Sequence, residues 1–228
     1  MDLFRAKDKL KSLPSVDVDR MRTDRLNRLQ AEMGIRDIGG MLLYDPINIR
    51  YAADCRNMQI WTMHNSARYC LVPAEGKITL FDFLTCSHLS SGIETILESR
   101  PGILWMNHLV GPNRQDLIES WADDLVDTIK HQCPNNRIVY DRLDSDGRNA
   151  LEQRQIDVSF GQDIIEYARS VKTPEELKAQ LHSAFVCETA LKEMKKQTVP
   201  GISENDLWSI LVYVNSILGG DYIETKLV

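Results

Sequence analysis

The composition of the chain is that of a folded globular protein, since 43% of its 228 residues are hydrophobic and 26% are charged. Its length suits one large domain or two small ones. With 27 basic and 33 acidic side chains, the formal net charge is -6, so no general positive field attracts nucleic acid or anionic lipid. No apolar stretch approaches the roughly 20 residues of a membrane helix, and charges interrupt the amino terminus where a signal peptide is apolar. We therefore expect a cytoplasmic protein that binds neither nucleic acid nor membranes.

The first part of the chain predicts one helix followed by three strands. Apolar residues at positions 21, 26, 29 and 33 have roughly helical spacing. Residues 39–44 are a short apolar run before Asp45-Pro46, which is typical of a buried strand that ends in a turn. Residues 68–72 and 77–83 flank a Pro-Ala-Glu-Gly turn sequence, and they predict an antiparallel hairpin.

From about residue 87 the pattern alternates between helix and strand, which predicts an α/β fold with a mixed sheet and flanking helices. The predicted helices are 87–98, 114–131 and 145–154, and the predicted strands are 103–106, 137–140 and 156–159. Further helices are predicted at 162–170, 175–198 and 204–218, and residues 221–228 alternate like a strand. A final strand without a partner is an exposed edge. We therefore expect the chain to be cut inside a second domain.

Motifs alone assign no catalytic or metal-binding residue to this chain. The five cysteines are odd in number and widely spaced, which favours free, buried thiols. The five histidines have no metal-binding spacing such as H-E-x-x-H. Two close aspartate pairs, 17/19 and 144/146, lie beside predicted helix starts, where aspartate commonly serves as a cap. No phosphate-binding loop and no G-x-S-x-G sequence is present.

The densest cluster of unusual residues lies at positions 44–68, which we interpret as a loop. Its Trp, His, Asn and Arg side chains combine large contact area with hydrogen-bond donors, the composition of a recognition surface. The alternative is a structural role, in which Trp61 and Met63 pack on the sheet and Arg50 pairs with Asp45. Composition alone favours neither interpretation.

Several segments resemble the pita-bread metallohydrolase family, which includes creatinase, prolidase and aminopeptidase P. Residues 169–177, RSVKTPEEL, resemble the linker that opens the catalytic domain of that family. Residues 219–227, GGDYIETKL, are similar to the first strand of that domain. Residues 45–51, DPINIRY, and 57–61, NMQIW, look like its amino-terminal domain, and the dimethylsulfoniopropionate lyase branch is the most similar.

The resemblance implies two domains: an amino-terminal creatinase-like domain over residues 1–160, and over 161–228 the first helices and strand of an incomplete α+β pita-bread catalytic domain. Family members hold two divalent metal ions in the part of that domain that would follow residue 228. The resemblance therefore assigns no catalytic residue, metal ligand or cofactor to this chain, and whether it belongs to an enzyme stays open.

The amino-terminal domain of the family forms a homodimer and helps to close the partner subunit's substrate pocket. By resemblance, Trp61 would line that pocket across the dimer, with His64, Asn57 and Arg68 as further candidates. An aromatic face beside a cationic substrate such as a sulfonium gains about 0.5 to 2 kcal/mol. The substrate of the complete protein would be a small molecule or a dipeptide, and the reaction that of a dimethylsulfoniopropionate lyase or an Xaa-Pro peptidase.

Two other functions are consistent with the residues. The chain could be a stand-alone binding or dimerisation module that acts through positions 50–68 without catalysis. It could also be a thiol enzyme that uses one of its cysteines, although none lies in a local Cys and His signature.

Overall fold

A six-stranded mixed sheet organises most of the chain, of which the computed structural model describes residues 3–223. In chain order, β1 to β6 are Gly40–Leu43, Tyr69–Pro73, Ile78–Asp82, Ile96–Pro101, Arg137–Tyr140 and Asp157–Phe160. Side by side, their order is β4-β3-β2-β1-β5-β6. The pairs β1–β2 and β2–β3 are antiparallel, whereas β3–β4, β1–β5 and β5–β6 are parallel. The predicted α/β fold class with a mixed sheet is confirmed.

The helices of the described residues cover both faces of the sheet or pack with one another. In chain order, α1 to α10 are Leu3–Lys11, Val18–Ile35, Pro46–Ala53, Gln59–His64, Asn107–Val110, Arg114–Gln132, Ser145–Glu152, Gln162–Ser170, Pro174–Gln197 and Glu204–Ile217. Short 3-10 turns occur at Ser87–Leu89 and Gly111–Asn113. Within residues 3–223, no helix is both long and apolar enough to cross a membrane.

The chain forms two compact units. Asp19–Val171 contains the sheet, and of the described residues the other unit joins 3–18 with 172–223. In this second unit, α9 packs against α10 around a small apolar cluster of Val186, Ala190, Val214 and Leu218. Helix α8, which the sequence placed after residue 160, lies in the unit that contains the sheet. The boundary between the two family domains at 160/161 stays a prediction.

Strand β1 shows how the sheet separates two apolar cores. Side chains alternate along a strand, so Met41 and Leu43 join one core while Leu42 and Tyr44 join the other. The first core also contains buried residues of α2, α3 and α8, and the second contains those of α6 and α7. Burial on both faces makes β1 a continuous apolar run, which is why the sequence predicted it correctly.

Capping residues set the starts of several helices. The Thr173 and Ser203 side chains accept hydrogen bonds from the backbone of Glu176 and Asp206, and each pair forms a reciprocal capping box. Asp144 caps α7 by accepting from the Gly147 amide at 2.9 Å. The capping interpretation of the 144/146 pair is thereby confirmed.

Two predicted elements between residues 87 and 106 are wrong. The predicted helix 87–98 is only a 3-10 turn, because Gly92 has a left-handed φ of 81° and the chain then extends into β4. The predicted strand 103–106 is irregular, and the strand lies a few residues earlier, at 96–101. Long-range pairing with β3 selects this register.

The predicted loop at positions 44–68 is also wrong, since most of it is helical. Asp45 accepts from the amides of Ile47 and Asn48, and Pro46 occupies the first turn of α3. These are helix-start signals that the sequence contains and that we interpreted as a turn. The Asp45 side chain therefore caps a helix. At the amino terminus, where no pattern was predicted, the chain forms α1.

The predicted closing strand 221–228 falls mostly on residues 224–228, which lie outside the described residues. Residues 221–223 belong to no strand.

A buried carboxylate joins the ends of three elements in the larger unit. Asp141, directly after β5, accepts from the Tyr44 and Asp45 amides at 2.8 and 3.0 Å and from the Asn48 amide group at 3.0 Å. The Asn48 oxygen accepts in turn from Arg169 of α8 at 2.8 Å. Burial raises the pKa of Asp141 more than these donated hydrogen bonds lower it.

We predict that Asp141→Ala lowers the free energy of unfolding by about 1–3 kcal/mol at neutral pH, because buried donors lose their acceptor. The folded-state pKa is raised, so the folded protein binds the proton more tightly. The extra stability from this proton is fully present below the unfolded-state pKa of about 4 and is lost as pH rises through the folded-state pKa. The difference between the wild type and the variant should therefore be larger below about pH 4 than at neutral pH. Urea unfolding at several pH values measures both effects.

Asp157→Ala is the matched control, because this exposed carboxylate only pairs with Arg137 at 3.8 Å. We expect a change below about 0.5 kcal/mol without the same pH trend. Equal effects of the two variants would contradict the role of Asp141.

Candidate functional site

The residues predicted to face a substrate pocket lie on and around helix α4. Trp61 and His64 belong to α4, Asn57 precedes it, and Arg68 lies just before β2. The residue before the helix, Met58, has a left-handed φ of 41° and no side-chain cap. A residue with a long side chain is strained in this conformation. Contacts elsewhere must therefore hold this segment in place.

Asp82, at the end of β3, holds the segment before α4 in place. Its carboxylate accepts from the Arg68 Nε at 2.8 Å and from the Asn57 Nδ2 at 3.0 Å. It also accepts from the following amide, that of Phe83, at 2.8 Å. Arg68 in addition donates to the Cys55 carbonyl at 2.9 Å. The Asp82 cluster, defined as Asn57, Arg68 and Asp82, thus ties the segment before α4 to the hairpin.

The Asp82 cluster is inside the unit. The Arg68 and Asp82 side chains are only 1% and 2% exposed, so the guanidinium does not face solvent in this chain. One of its terminal nitrogens is buried and has no hydrogen-bond partner among the described residues. The structure therefore brings two of the four predicted residues together, around a carboxylate that the sequence analysis missed.

Trp61 has a different environment. Its side chain is 38% exposed, and its ring lies 5.8 Å from that of Phe83 at an angle of 58°. Met58, Ile60 and Leu84 beside them in sequence are more exposed still. We call Met58, Ile60, Trp61, Phe83 and Leu84 the Trp61 surface. The contact between the two rings joins the two segments that carry these side chains, and clustered exposed apolar side chains are typical of a contact site.

His64 is exposed at the carboxyl end of α4 and is not part of the Asp82 cluster. Side-chain donors hold the end of the helix by binding its backbone carbonyls. Arg142 donates to the Met63 carbonyl at 2.8 Å, and Asn65 donates to the Trp61 carbonyl at 2.9 Å. The structure thus places Trp61 and His64 on a supported helix, and Asn57 and Arg68 in its support.

The cysteines fit the predicted buried thiols only in part. All five are free; Cys55 and Cys70 are buried, but Cys86 and Cys133 are half-buried and Cys187 is exposed. Burial raises the pKa of Cys55 and Cys70, and it raises that of Cys133 to about 12. These three thiols hold little nucleophilic thiolate at neutral pH.

No cluster of three or more His, Cys, Asp or Glu side chains in residues 3–223 could hold a metal ion. The described residues therefore offer no site for the two divalent metal ions, which the family resemblance assigns to a part of the protein after residue 228.

The chain is similar to two proteins named dimethylsulfoniopropionate lyase DddP. It is 34% identical over 221 residues to the one from Roseovarius nubinhibens, and 33% identical over 221 residues to the one from Roseobacter denitrificans. Both matches cover 92% of this chain but only 49% and 48% of the relatives. The chain thus spans about half the length of the curated relatives it matches. No family model matches it.

Solved structures of peptidases share the fold. The prolidase from Thermococcus sibiricus has a TM-score of 0.60 and 18% identity, covering 91% of this chain and 52% of that one. The Xaa-Pro dipeptidase from Bacillus anthracis has a TM-score of 0.59 and 17% identity, covering 85% and 48%. The family recognition made from the sequence is confirmed: the chain is related to the pita-bread proteins over about half of their length, consistent with an amino-terminal half.

Proposed function

We propose that this chain is the amino-terminal part of a metalloenzyme of the creatinase and prolidase family, that it dimerises, and that it helps to close a substrate pocket in its partner. The Trp61 surface is the observation that carries the proposal. The half-length match to relatives named as dimethylsulfoniopropionate lyases supports a parent reaction of that kind. The fold neighbours named as prolidase and Xaa-Pro dipeptidase support a peptidase as the alternative reaction.

The Trp61 surface leaves large apolar side chains in contact with water, which is unfavourable. Covering exposed tryptophan, isoleucine and leucine with another surface lowers the free energy by about 25 cal/mol for each Å² of apolar area removed from water. Tryptophan is also the residue type most enriched at the energetic centres of interfaces. The buried Asp82 cluster and the ring of Phe83 keep Trp61 in one place. A pre-positioned aromatic ring of this kind binds a partner or substrate without losing much side-chain entropy.

The four predicted residues then have separate roles. Trp61 lines the pocket across the dimer, and its ring face attracts a cationic substrate group such as a sulfonium. His64, exposed on the same helix, is a further contact. Asn57 and Arg68 position α4 through Asp82. The two divalent metal ions belong to the part of the complete protein that follows this chain.

A stand-alone binding or dimerisation module is the second candidate, and the same Trp61 surface favours it. A longer reading frame that encodes carboxylate and histidine motifs after Val228 supports the enzyme. A protein that the source cell makes at the length of this chain supports the module.

We predict that Trp61→Ala in the protein encoded by the complete reading frame lowers kcat/KM for dimethylsulfoniopropionate by about 2- to 30-fold. This range corresponds to the roughly 0.5–2 kcal/mol of a lost cation–π contact. The assay uses added divalent metal, with an Xaa-Pro dipeptide measured in parallel to separate the two parent reactions. Sedimentation velocity measures whether the protein is a dimer.

Phe160→Ala is the matched control, because Phe160 is also an exposed aromatic residue with one aromatic neighbour, Tyr140 at 6.1 Å. It lies on the edge strand β6 and should leave kcat/KM unchanged. An unchanged kcat/KM in Trp61→Ala, or an equal loss in both variants, would refute the pocket role. A monomeric complete protein would refute the role across a dimer.

We predict that Asp82→Asn lowers the free energy of unfolding by about 3–5 kcal/mol, because it leaves the buried Arg68 guanidinium without its counter-charge. Arg68→Met combined with Asp82→Leu should cost less than Asp82→Asn alone, since no charge is then buried. Urea unfolding of the two variants makes the comparison. A double variant less stable than Asp82→Asn would contradict the assignment of the loss to an unpaired charge.

A further inference from the structure

A cavity of about 250 Å³ lies within the larger unit, apart from the Asp82 cluster. Tyr44, directly after β1, and Arg142 and Leu143, shortly after β5, form part of its wall. Trp105, Arg114 and Ser66 also line the cavity. None of these residues belongs to the Trp61 surface, although Arg142 also supports helix α4 through the Met63 carbonyl.

The position of the cavity follows from the strand order. From β1 the chain passes to β2 on one side, and it later returns to place β5 on the other side, parallel to β1. The connections therefore leave the carboxyl ends of β1 and β5 in opposite directions, and a crevice opens between them. In open α/β sheets, crevices at such a change of direction are where ligands bind.

The apolar wall is rigid before any ligand arrives. The ring of Trp105 is buried and packs against that of Trp121 at 5.3 Å. The Arg114 guanidinium lies over the Trp105 ring, 5.3 Å from its centre. Gly147 makes room for it, since a Cβ at that position would lie 3.0 Å from the Trp105 ring and 2.7 Å from Leu143. A preformed apolar wall binds a flat group without losing conformational entropy of its own side chains.

The cavity wall carries both signs of charge, since Asp144 lines it together with Arg114 and Arg142, and the pairing of these groups leaves Arg142 to bind an anion. Arg114 is neutralised by Asp144 at 3.2 Å and Asp146 at 2.5 Å. Arg142 instead donates to the Met63 carbonyl, its side chain is exposed, and no carboxylate of residues 3–223 lies within ion-pair distance of it. A guanidinium whose other N–H groups are available can bind a carboxylate through two hydrogen bonds.

We propose that this cavity binds a small organic carboxylate with a flat apolar body, about the size of one aromatic ring. The Arg142 guanidinium binds the carboxylate, and Trp105 and Leu143 pack against the body. The volume limits the ligand, because it lies below the roughly 300–1,000 Å³ of sites for drug-sized molecules.

The test is calorimetric titration of this chain with phenylacetate and with phenylacetamide, its neutral counterpart of the same shape. We expect saturable binding of phenylacetate that is at least about tenfold tighter than that of phenylacetamide. Arg142→Gln should remove this difference. Arg148→Gln, an exposed arginine paired with Glu152 away from the cavity, should preserve it.

Because Arg142 also supports α4 through the Met63 carbonyl, a second variant tests the cavity without that bond. Ser66→Phe places a ring into the cavity from an exposed position and should abolish binding of both compounds. No saturable binding of phenylacetate, equal affinity for the two compounds, or full binding in Ser66→Phe would overturn the proposal. The measurement needs neither a dimer nor catalytic activity, so its outcome is separate from that of the proposed function.

Discussion

The ion pair between Arg68 and Asp82 is the constraint on which the surface of helix α4 depends. Both side chains are buried, so their attraction is offset by the cost of removing two charges from water, and the net gain in stability is small. Its larger effect is geometric, because the same carboxylate also binds Asn57 and the Phe83 amide. The end of the hairpin, the strained approach to α4 and the ring that supports Trp61 are thereby fixed by one group.

Sequence reasoning predicted the elements whose local signals agree with their tertiary environment. The doubly buried run of β1, the hairpin of β2 and β3 and the long helix α6 are of this kind. It failed where long-range pairing decides the structure, since the residues of β4 are half-buried or exposed and form a strand because β3 binds them in parallel. For α3 the signal was present: Asp45 followed by Pro46 is a helix start, and turn chemistry was given too much weight there.

Sequence reasoning likewise predicted only part of the candidate site. Trp61 and His64 could be proposed from composition and family resemblance, whereas the role of Asp82 required the register of the hairpin. Tyr69 lies opposite Phe81 in that register, so Arg68 and Asp82 are the next pair along the two strands. A correct register drawn from the predicted hairpin would have placed the two opposite charges together. That they are buried could not be predicted, because burial depends on segments distant in sequence.

Residues in the segments that carry the family resemblance make contacts that hold the fold together. Asn48 and Arg169, from two of the quoted segments, bind each other, and Asn48 also binds the buried Asp141. Such residues report the fold and say little about the reaction, since one fold supports many chemistries. Trp61 differs from them, because its exposed ring lies outside both apolar cores of the sheet. A substitution there changes an exposed contact surface without opening a core cavity, so we expect the fold to be retained.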